Sequence, residues 1–360
     1  MVLLEREIQL KSRLMTSAPV QHIHFGGGSP TVVRPAEFSR FVDTIRNNYS
    51  ISSGAECAVE VDPRSVDEEK IATYSQCGIT RVSIGVQDFD DTVQKVINRI
   101  QPFAMVSKVV DDFRNNGIDA ISMDLIYGLP YQTMKSIETT ILKTISLSPQ
   151  RISLFGYAHV PWMKKHQKMI PADNLPHSSL RIKMYDLASR LLEEHGYISV
   201  GLDHFAKKDD TMAKALAAGE LQRNFQGYTT DICDALIGFG ISAISSLPNG
   251  YAQNASTIRN YSSTLAAEKL PICRGVRLTE RDHMRRGIIM SLMCGLSATV
   301  DQNHYAHELN ILTPYFKSEE VNYECGQLIV NPEARTKIRL IASVFDEYLQ
   351  NDDQRFSKAV

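Results

Sequence analysis

Five apolar runs in the first 160 residues each end in residues able to do polar chemistry. His22–Phe25 closes in Gly26-Gly27-Gly28-Ser29-Pro30, and later runs close in Glu60 with Asp62, in Gln87, in Asp124, and in Tyr157 to His159. Glycine leaves backbone free to approach a ligand, while carboxylates and amides exchange hydrogen bonds with a polar small molecule. The glycine run is neither G-x-G-x-x-G nor a P-loop, so neither a dinucleotide nor a phosphate cradle is signalled. Singly, each feature has a structural reading: a loose loop, helix caps at Glu60 and Asp62, a solvated turn at Gln87, a satisfied core carboxylate at Asp124. If the five runs are strands of one parallel sheet, their ends share one mouth, and a small-molecule site there is the expectation.

The elements between them fit that sheet. Strands are expected at 22–25, 56–61, 81–86, 120–126 and 151–155, and helices near 35–47, 65–76, 90–115 and 134–147. This βα alternation makes a parallel sheet. An amphipathic helix at 3–14 precedes the first strand, so the sheet starts one unit late and leaves an edge that natural proteins pair or cover. A helix from Leu180 to His195 follows, and from Leu278 onward helices are expected to dominate, one capped by Thr279 or Glu280. The polar-aromatic stretches 201–206 and 223–230 show no periodicity and are read as loops over the site; the glycine-punctuated 238–245 suggests close backbone packing.

With 360 residues the chain can bury a large core, and 39 Lys plus Arg against 41 Asp plus Glu give no bulk attraction to nucleic acid or anionic lipid. No run is long enough to span a membrane and no leader opens the chain, so a cytoplasmic protein is expected. The six cysteines, Cys57, Cys77, Cys233, Cys273, Cys294 and Cys325, form no C-x-x-C or C-x-x-x-C-x-x-C. That speaks against a disulfide framework, a zinc ribbon or a local iron–sulfur motif.

The segments HIHFGGGSPT (22–31), VEVDPR (59–64), SIGVQDF (83–89), DLIYGLPYQT (124–133), GYAHVP (156–161), GLDHFAKKDD (201–210), RNFQGYTT (223–230) and GFGISAIS (238–245) together resemble the oxygen-independent coproporphyrinogen III oxidases, a family of radical S-adenosylmethionine (SAM) enzymes. The likeness runs in order through nearly the whole chain. GGG is common to many radical SAM enzymes; YAH, DHFA and RNFQGYTT separate the oxidases from the related haem-chaperone-like branch. The resemblance implies an α/β fold, a partial (βα)6 radical SAM barrel with a mostly helical C-terminal domain. It implies three segments: partial barrel at 1–168, barrel extension and substrate-site loops at 169–270, and the helical domain at 271–360.

It further implies a reaction of haem biosynthesis. A reduced four-iron cluster (4Fe–4S) cleaves SAM to a 5′-deoxyadenosyl radical, which takes hydrogen from propionates of coproporphyrinogen III. Loss of carbon dioxide then yields the vinyl groups of protoporphyrinogen IX. The family binds two SAM molecules and takes electrons from a donor that the sequence does not identify. By position, Gly27, Glu60 and Ile244 correspond to contacts of the first SAM. Gly28, Ser29, Gln87, Arg99, Asp124, Ala158, Phe225 and Gln226 correspond to contacts of the second. His204 and Arg223 are the candidates for substrate carboxylates; no catalytic residue is singled out. The family's C-x-x-x-C-x-x-C loop precedes the helix in which this chain opens, so no metal ligand is expected here and the chain as written is expected to be inactive. The other expectation is a non-catalytic tetrapyrrole-binding or haem-chaperone-like paralogue.

Overall fold

Polar and apolar residues alternate along the central strands, and that period of two decides which face each strand gives to the core. In the computed structural model, which describes residues 1–14 and 18–349, helix α1 (Val2–Ser12) leads into five parallel strands. These are β1 (Val20–Phe25), β2 (Ile51–Val61), β3 (Arg81–Gln87), β4 (Ala120–Tyr127) and β5 (Arg151–Gly156). Strands β6 (Tyr197–Val200) and β7 (His204–Lys207) extend the sheet antiparallel, in the order β1-β2-β3-β4-β5-β7-β6. β1 therefore ends the sheet and pairs with β2 alone among the described residues.

One face of the sheet is apolar. Val59, Ile84, Met123 and Leu154 are fully buried against the crossover helices α2 (Pro35–Asn48), α3 (Glu68–Gln76), α4 (Asp91–Val96), α5 (Phe103–Asn115), α6 (Met134–Ser146) and α7 (Ser178–Glu194). The helices begin where the chain supplies caps: Pro35 at the start of α2, Asp67 accepting from the Lys70 amide before α3, and a Thr133–Ser136 capping box before α6. The other face is polar. There the register sets Glu60 beside Ser83, Gly85 beside Asp124, Asp124 beside Ser153 and Ser153 beside His204.

After the sheet come α8 (Thr211–Ala218), the hairpin β8 (Gln222–Asn224) and β9 (Gly227–Thr229), and an antiparallel sheet of β10 (Ile244–Leu247), β11 (Gly250–Asn254) and β12 (Ile272–Arg277), with α9 (Ile258–Ala266) before β12. The two stretches expected to be loops are thus largely strands, β7 and the β8–β9 hairpin. Runs of three or four residues are too short for alternation to declare itself. The C-terminal region starts with α10 (Glu280–Gly295), held by a Thr279–Asp282 capping box. Helices predominate there, yet β13 (Ser297–Thr299), β14 (Val321–Glu324) and β15 (Gln327–Val330) form a small sheet among α11 (Ala306–Ile311), α12 (Thr313–Lys317) and α13 (Ile338–Ser343), around a second core with Leu292, Leu328 and Phe345. No helix among the described residues is long and apolar enough to cross a membrane.

The first helix is tied to the β10–β12 region by charge. Glu7 is fully buried, pairs with Lys11 at 2.6 Å, and accepts from the Gly240 amide at 2.8 Å, Asn254 Nδ2 at 2.7 Å and Tyr261 Oη at 2.6 Å. Lys11 also donates to the Gly238 carbonyl at 2.6 Å. Glu7→Ala leaves a buried ammonium and three donors without their acceptor. The expected loss is about 3–5 kcal/mol of unfolding free energy in a urea titration, and a loss under 1 kcal/mol overturns the reading of this cluster as a clamp.

Candidate functional site

The site begins at the exit of β1, where backbone replaces side chain. A Cβ on Gly26 would stand 2.5 Å from Glu60 Oε1 and 2.7 Å from His24 Nε2, so any larger residue there would push these two side chains from their present places. Gly27 has φ of +75°, and its amide donates to Glu60 Oε2 at 3.3 Å. The other Glu60 oxygen meets His24 Nε2 at 3.1 Å. A Cβ on Gly27 or Gly28 would meet nothing within 4 Å, which leaves main chain facing open space. Ser29 Oγ bonds Thr31 Oγ1 at 3.0 Å, and Thr31 Oγ1 bonds Ser65 Oγ at 2.5 Å, which fixes the loop to the segment after β2.

Beyond β2 and β3 lies a guanidinium pair on one carboxylate. Arg64 grips Asp62 with two hydrogen bonds, at 3.0 and 2.7 Å, and Arg99 Nη2 stands 3.6 Å from the same group. Burial raises the Asp62 carboxyl, but Arg64 and Arg99 outweigh it and hold its pKa below the ordinary value. Burial in turn draws the Arg99 pKa down against the pull of Asp62. Arg99 also donates to the Gly85 carbonyl at 2.9 Å and to Gln101 Oε1 at 3.2 Å. Gln87 ends β3 at φ of +66°, and the Gln101 amide braces the turn from the Val86 carbonyl.

Asp124 stands mid-face with Ser83 Oγ at 3.0 Å. Burial raises its carboxyl pKa; the Ser153 and Ser83 hydroxyls and the His204 charge act against that, and Glu60 adds to it. His204 Nδ1 bonds Asp203 Oδ1 at 2.8 Å, and its ring lies against Phe155 at 5.8 Å and Tyr228 at 5.3 Å. The Arg223 guanidinium lies 5.6 Å from the Tyr228 ring, its Nε buried without a partner among the described residues.

The remaining expected residues sit around this row. The Ala158 carbonyl accepts from Gln167 Nε2 at 3.0 Å; exposed Phe225 meets Tyr251; the Gln226 amide bonds Asn224 Oδ1 at 2.8 Å. Ile244 opens β10, its backbone so near Gly238 that a Cβ there would stand 2.5 Å from the Ile244 oxygen, which bears out close packing in 238–245. Sequence reasoning passed over His24, Asp203, Ser83, Ser153 and Gln101. Only His24 carried a signal, the alternation of His22, His24 and Gly26 along β1. It also missed Asp88, buried under the β3 exit, which accepts from the Asp90 amide at 2.6 Å, Gln132 Nε2 at 2.5 Å and Thr140 Oγ1 at 3.1 Å.

The donor set suits an amino-acid-bearing nucleoside: open amides, a carboxylate beside them, a guanidinium and hydroxyls. A four-iron cluster is another matter. All six cysteines are unpaired, and no group of three potential metal ligands exists among the described residues. These cysteines do not fit such a cluster.

The model of the Radical SAM superfamily matches residues 2–143, the stretch that carries the glycine loop and the first four strands. The chain is 41% identical over 350 residues to the oxygen-independent coproporphyrinogen III oxidase of Bradyrhizobium diazoefficiens, covering 95% of this chain and 78% of that protein. It is 34% identical to the Escherichia coli K12 protein of the same name, covering 99% and 81%. The solved structure of Escherichia coli coproporphyrinogen III oxidase, described as a radical SAM enzyme, superposes with a TM-score of 0.93 over 96% of this chain and 82% of that one. The chain belongs to the oxygen-independent coproporphyrinogen III oxidases.

Asp88 gives the site's brace a pH signature. Burial raises its carboxyl from 3.8 to about 6 against the hydrogen bonds it accepts. The folded chain therefore keeps a proton that the unfolded chain releases, a stabilisation present below pH 3.8 and lost as pH rises through about 6. The stability margin of the unaltered chain over Asp88→Asn should narrow by roughly 2 kcal/mol from about pH 4 to about pH 7, read from urea unfolding at both values. A margin that stays constant or widens contradicts the assignment.

Proposed function

We propose that this chain contributes the SAM and substrate site for the oxidative decarboxylation of coproporphyrinogen III to protoporphyrinogen IX without oxygen, a step of haem biosynthesis in a reducing cytoplasm. Each of two propionates loses one hydrogen atom, one electron and carbon dioxide to become a vinyl group. A four-iron cluster, held by ligands other than the six cysteines described, would let bound SAM furnish the hydrogen acceptor. The observation that carries the reading is the continuous polar row from the glycine loop and Glu60 through Asp124 and Ser153 to His204.

In this reading Gly27 and Glu60 hold the amino group of one SAM, and Ile244 packs on its adenine. Gly28, Ser29, Gln87, Arg99, Asp124, Ala158, Phe225 and Gln226 surround a second SAM, whose carboxylate suits the Arg99 fork. His204 and Arg223 receive substrate carboxylates; an electron donor would supply the electron spent on each SAM, and an electron acceptor would take the one that each propionate releases. The residues divide among a partial barrel at 1–168, an extension with substrate-site loops at 169–270 and a C-terminal domain at 271–360. A second reading, a tetrapyrrole-binding protein without catalysis, draws on one observation, the cysteines that do not converge.

Titration calorimetry separates the readings. The unaltered chain should bind two SAM molecules. Asp124→Ala strands the Ser83 and Ser153 hydroxyls and should weaken one site by roughly 1–3 kcal/mol. Porphyrin binding with no SAM binding would favour the carrier instead.

Anaerobic reconstitution of the 360-residue chain with iron and sulfide should give no stoichiometric four-iron cluster and no turnover. The same chain preceded by the family's C-x-x-x-C-x-x-C segment should release two carbon dioxide molecules per coproporphyrinogen III. A stoichiometric cluster on the six cysteines alone would defeat the first expectation.

A further inference from the structure

Antiparallel pairing sets directly opposed residues on one face of a sheet. In β10–β12 the register aligns Ile244, Gln253 and Arg274 in one row, and Ser246, Tyr251 and Val276 in the next on the same face. Ile244 is the residue assigned above to adenine. Phe225, at the turn of the β8–β9 hairpin, meets Tyr251 edge-on with ring centroids 5.5 Å apart. From α10, the Arg286 guanidinium lies 5.7 Å from the centre of the same ring. Phe225 and Val276 are 55% and 52% exposed, so this wall offers apolar surface and cations side by side to a ligand.

Its cations are uncommitted. Arg285, next door on α10, is spent on Glu308 at 2.6 Å and Glu347 at 2.9 Å. Arg274 and Arg286 pair with no carboxylate of the described residues. A weakly hydrated guanidinium on an aromatic ring remains able to fork onto a carboxylate, while the ring covers apolar ligand surface. A macrocycle with an apolar body and carboxylates on flexible arms matches that combination.

We propose that Arg274 and Arg286 each receive a propionate carboxylate of the tetrapyrrole, with Tyr251 and Phe225 against its ring. The assignment rests on the coproporphyrinogen reading above and adds to Arg223 and His204 two further determinants of substrate choice. It also gives the hairpin and the β10–β12 sheet one shared ligand: the wall carrying the residue for adenine carries the groups for substrate.

Fluorescence titration with coproporphyrin III, the air-stable oxidised form with the same four propionates, tests this on the whole chain. Arg274→Gln and Arg286→Gln should each weaken binding about tenfold or more, the double variant further, and Arg274→Lys should recover part of the loss. Affinity for coproporphyrin tetramethyl ester should not change in any of them, because the ester offers no charge to receive. Arg277→Gln, opposite Gly250 on the other face, should bind like the unaltered chain. Binding should also fall with salt less steeply in the double variant. SAM binding measured in parallel reports that the variants are folded. Unaltered affinity in the two Gln variants, or equal losses for acid and ester, would overturn the assignment and leave the parent reading standing. No binding of coproporphyrin III by the unaltered chain would overturn both.

Discussion

A sheet that buries one face in a hydrocarbon core must do something with the other. Here the second face carries Glu60, Ser83, Asp124, Ser153 and His204, and buried polar groups cost free energy unless hydrogen bonds satisfy them. Ser83 on the adjacent strand donates to Asp124, the Gly27 amide in the loop after β1 donates to Glu60 on β2, and Asp203, next in the chain, accepts from His204. The first two are made possible by strand register. The whole site therefore depends on one pairing pattern, since a slip by one residue would send this row into the core and the valines into the mouth. Apolar contacts on the far side, Val59 to Leu154, fix that register with far more buried area than the polar row could supply.

The same division explains what could be read from the sequence. Val59, Ile84, Met123 and Leu125 recur in runs bounded by helices, so the parallel sheet is visible in composition alone. Gly27, Glu60 and Gln87 at or near strand exits stand out because each breaks an apolar run; Asp124, expected at an exit, stands out the same way but lies inside β4, whose pairing continues to Tyr127. Their supports do not. Asp88 and Gln132 lie 44 positions apart, and Ser83 and Asp124 lie 41 apart. No local pattern announces such pairs; they become partners only when β3 and β4 lie side by side. Strands β7 to β9 escaped for a different reason, since three or four residues carry too few alternations to separate a strand from a loop. The resemblance to a family named the candidate site residues, and the register then explains how Glu60 and Asp124 share one face with Gly27 and Gln87 at its exits; Arg99, between α4 and α5, reaches that face through the Gly85 carbonyl.

Electrostatics sharpen the mouth further. Asp62 is held charged by two guanidiniums, while Asp124, less well compensated, has its carboxyl pushed upward by burial. Two acids at one mouth thus differ in how readily they carry charge, and the difference follows from which side chains reach them. Of the two acids, Arg64 reaches only Asp62, its Nη1 donating also to the Asn98 carbonyl at 3.4 Å. Arg99 spans both regions through the Gly85 carbonyl, which sits beside Asp124 in the register. In the reading proposed above, a ligand carboxylate at Arg99 would compete with Asp62 for one guanidinium, and the two Arg64 hydrogen bonds would keep Asp62 satisfied.

The wall of β10–β12 shares no ladder with the central sheet. Its position relative to the glycine loop must come from elsewhere, and the buried Glu7–Lys11 pair supplies it. Glu7 receives donors from Gly240, Asn254 and Tyr261, and Lys11 reaches Gly238, so a helix from the first dozen residues grips a segment more than 220 positions later. That segment leads directly into Ile244 and β10. α1 packs also on α2, which covers β1 and β2 through Phe38 and Val42. The path from Glu60 to Ile244 therefore runs through the core under α2, along α1 and across one buried carboxylate. The regions around Glu60 and Ile244, which share no hydrogen-bonded strand, are tied by this buried carboxylate together with the packing of Leu3 and Leu10 against Ala255, Tyr261 and Leu265, and a buried carboxylate stripped of its donors is costly enough to resist their separation.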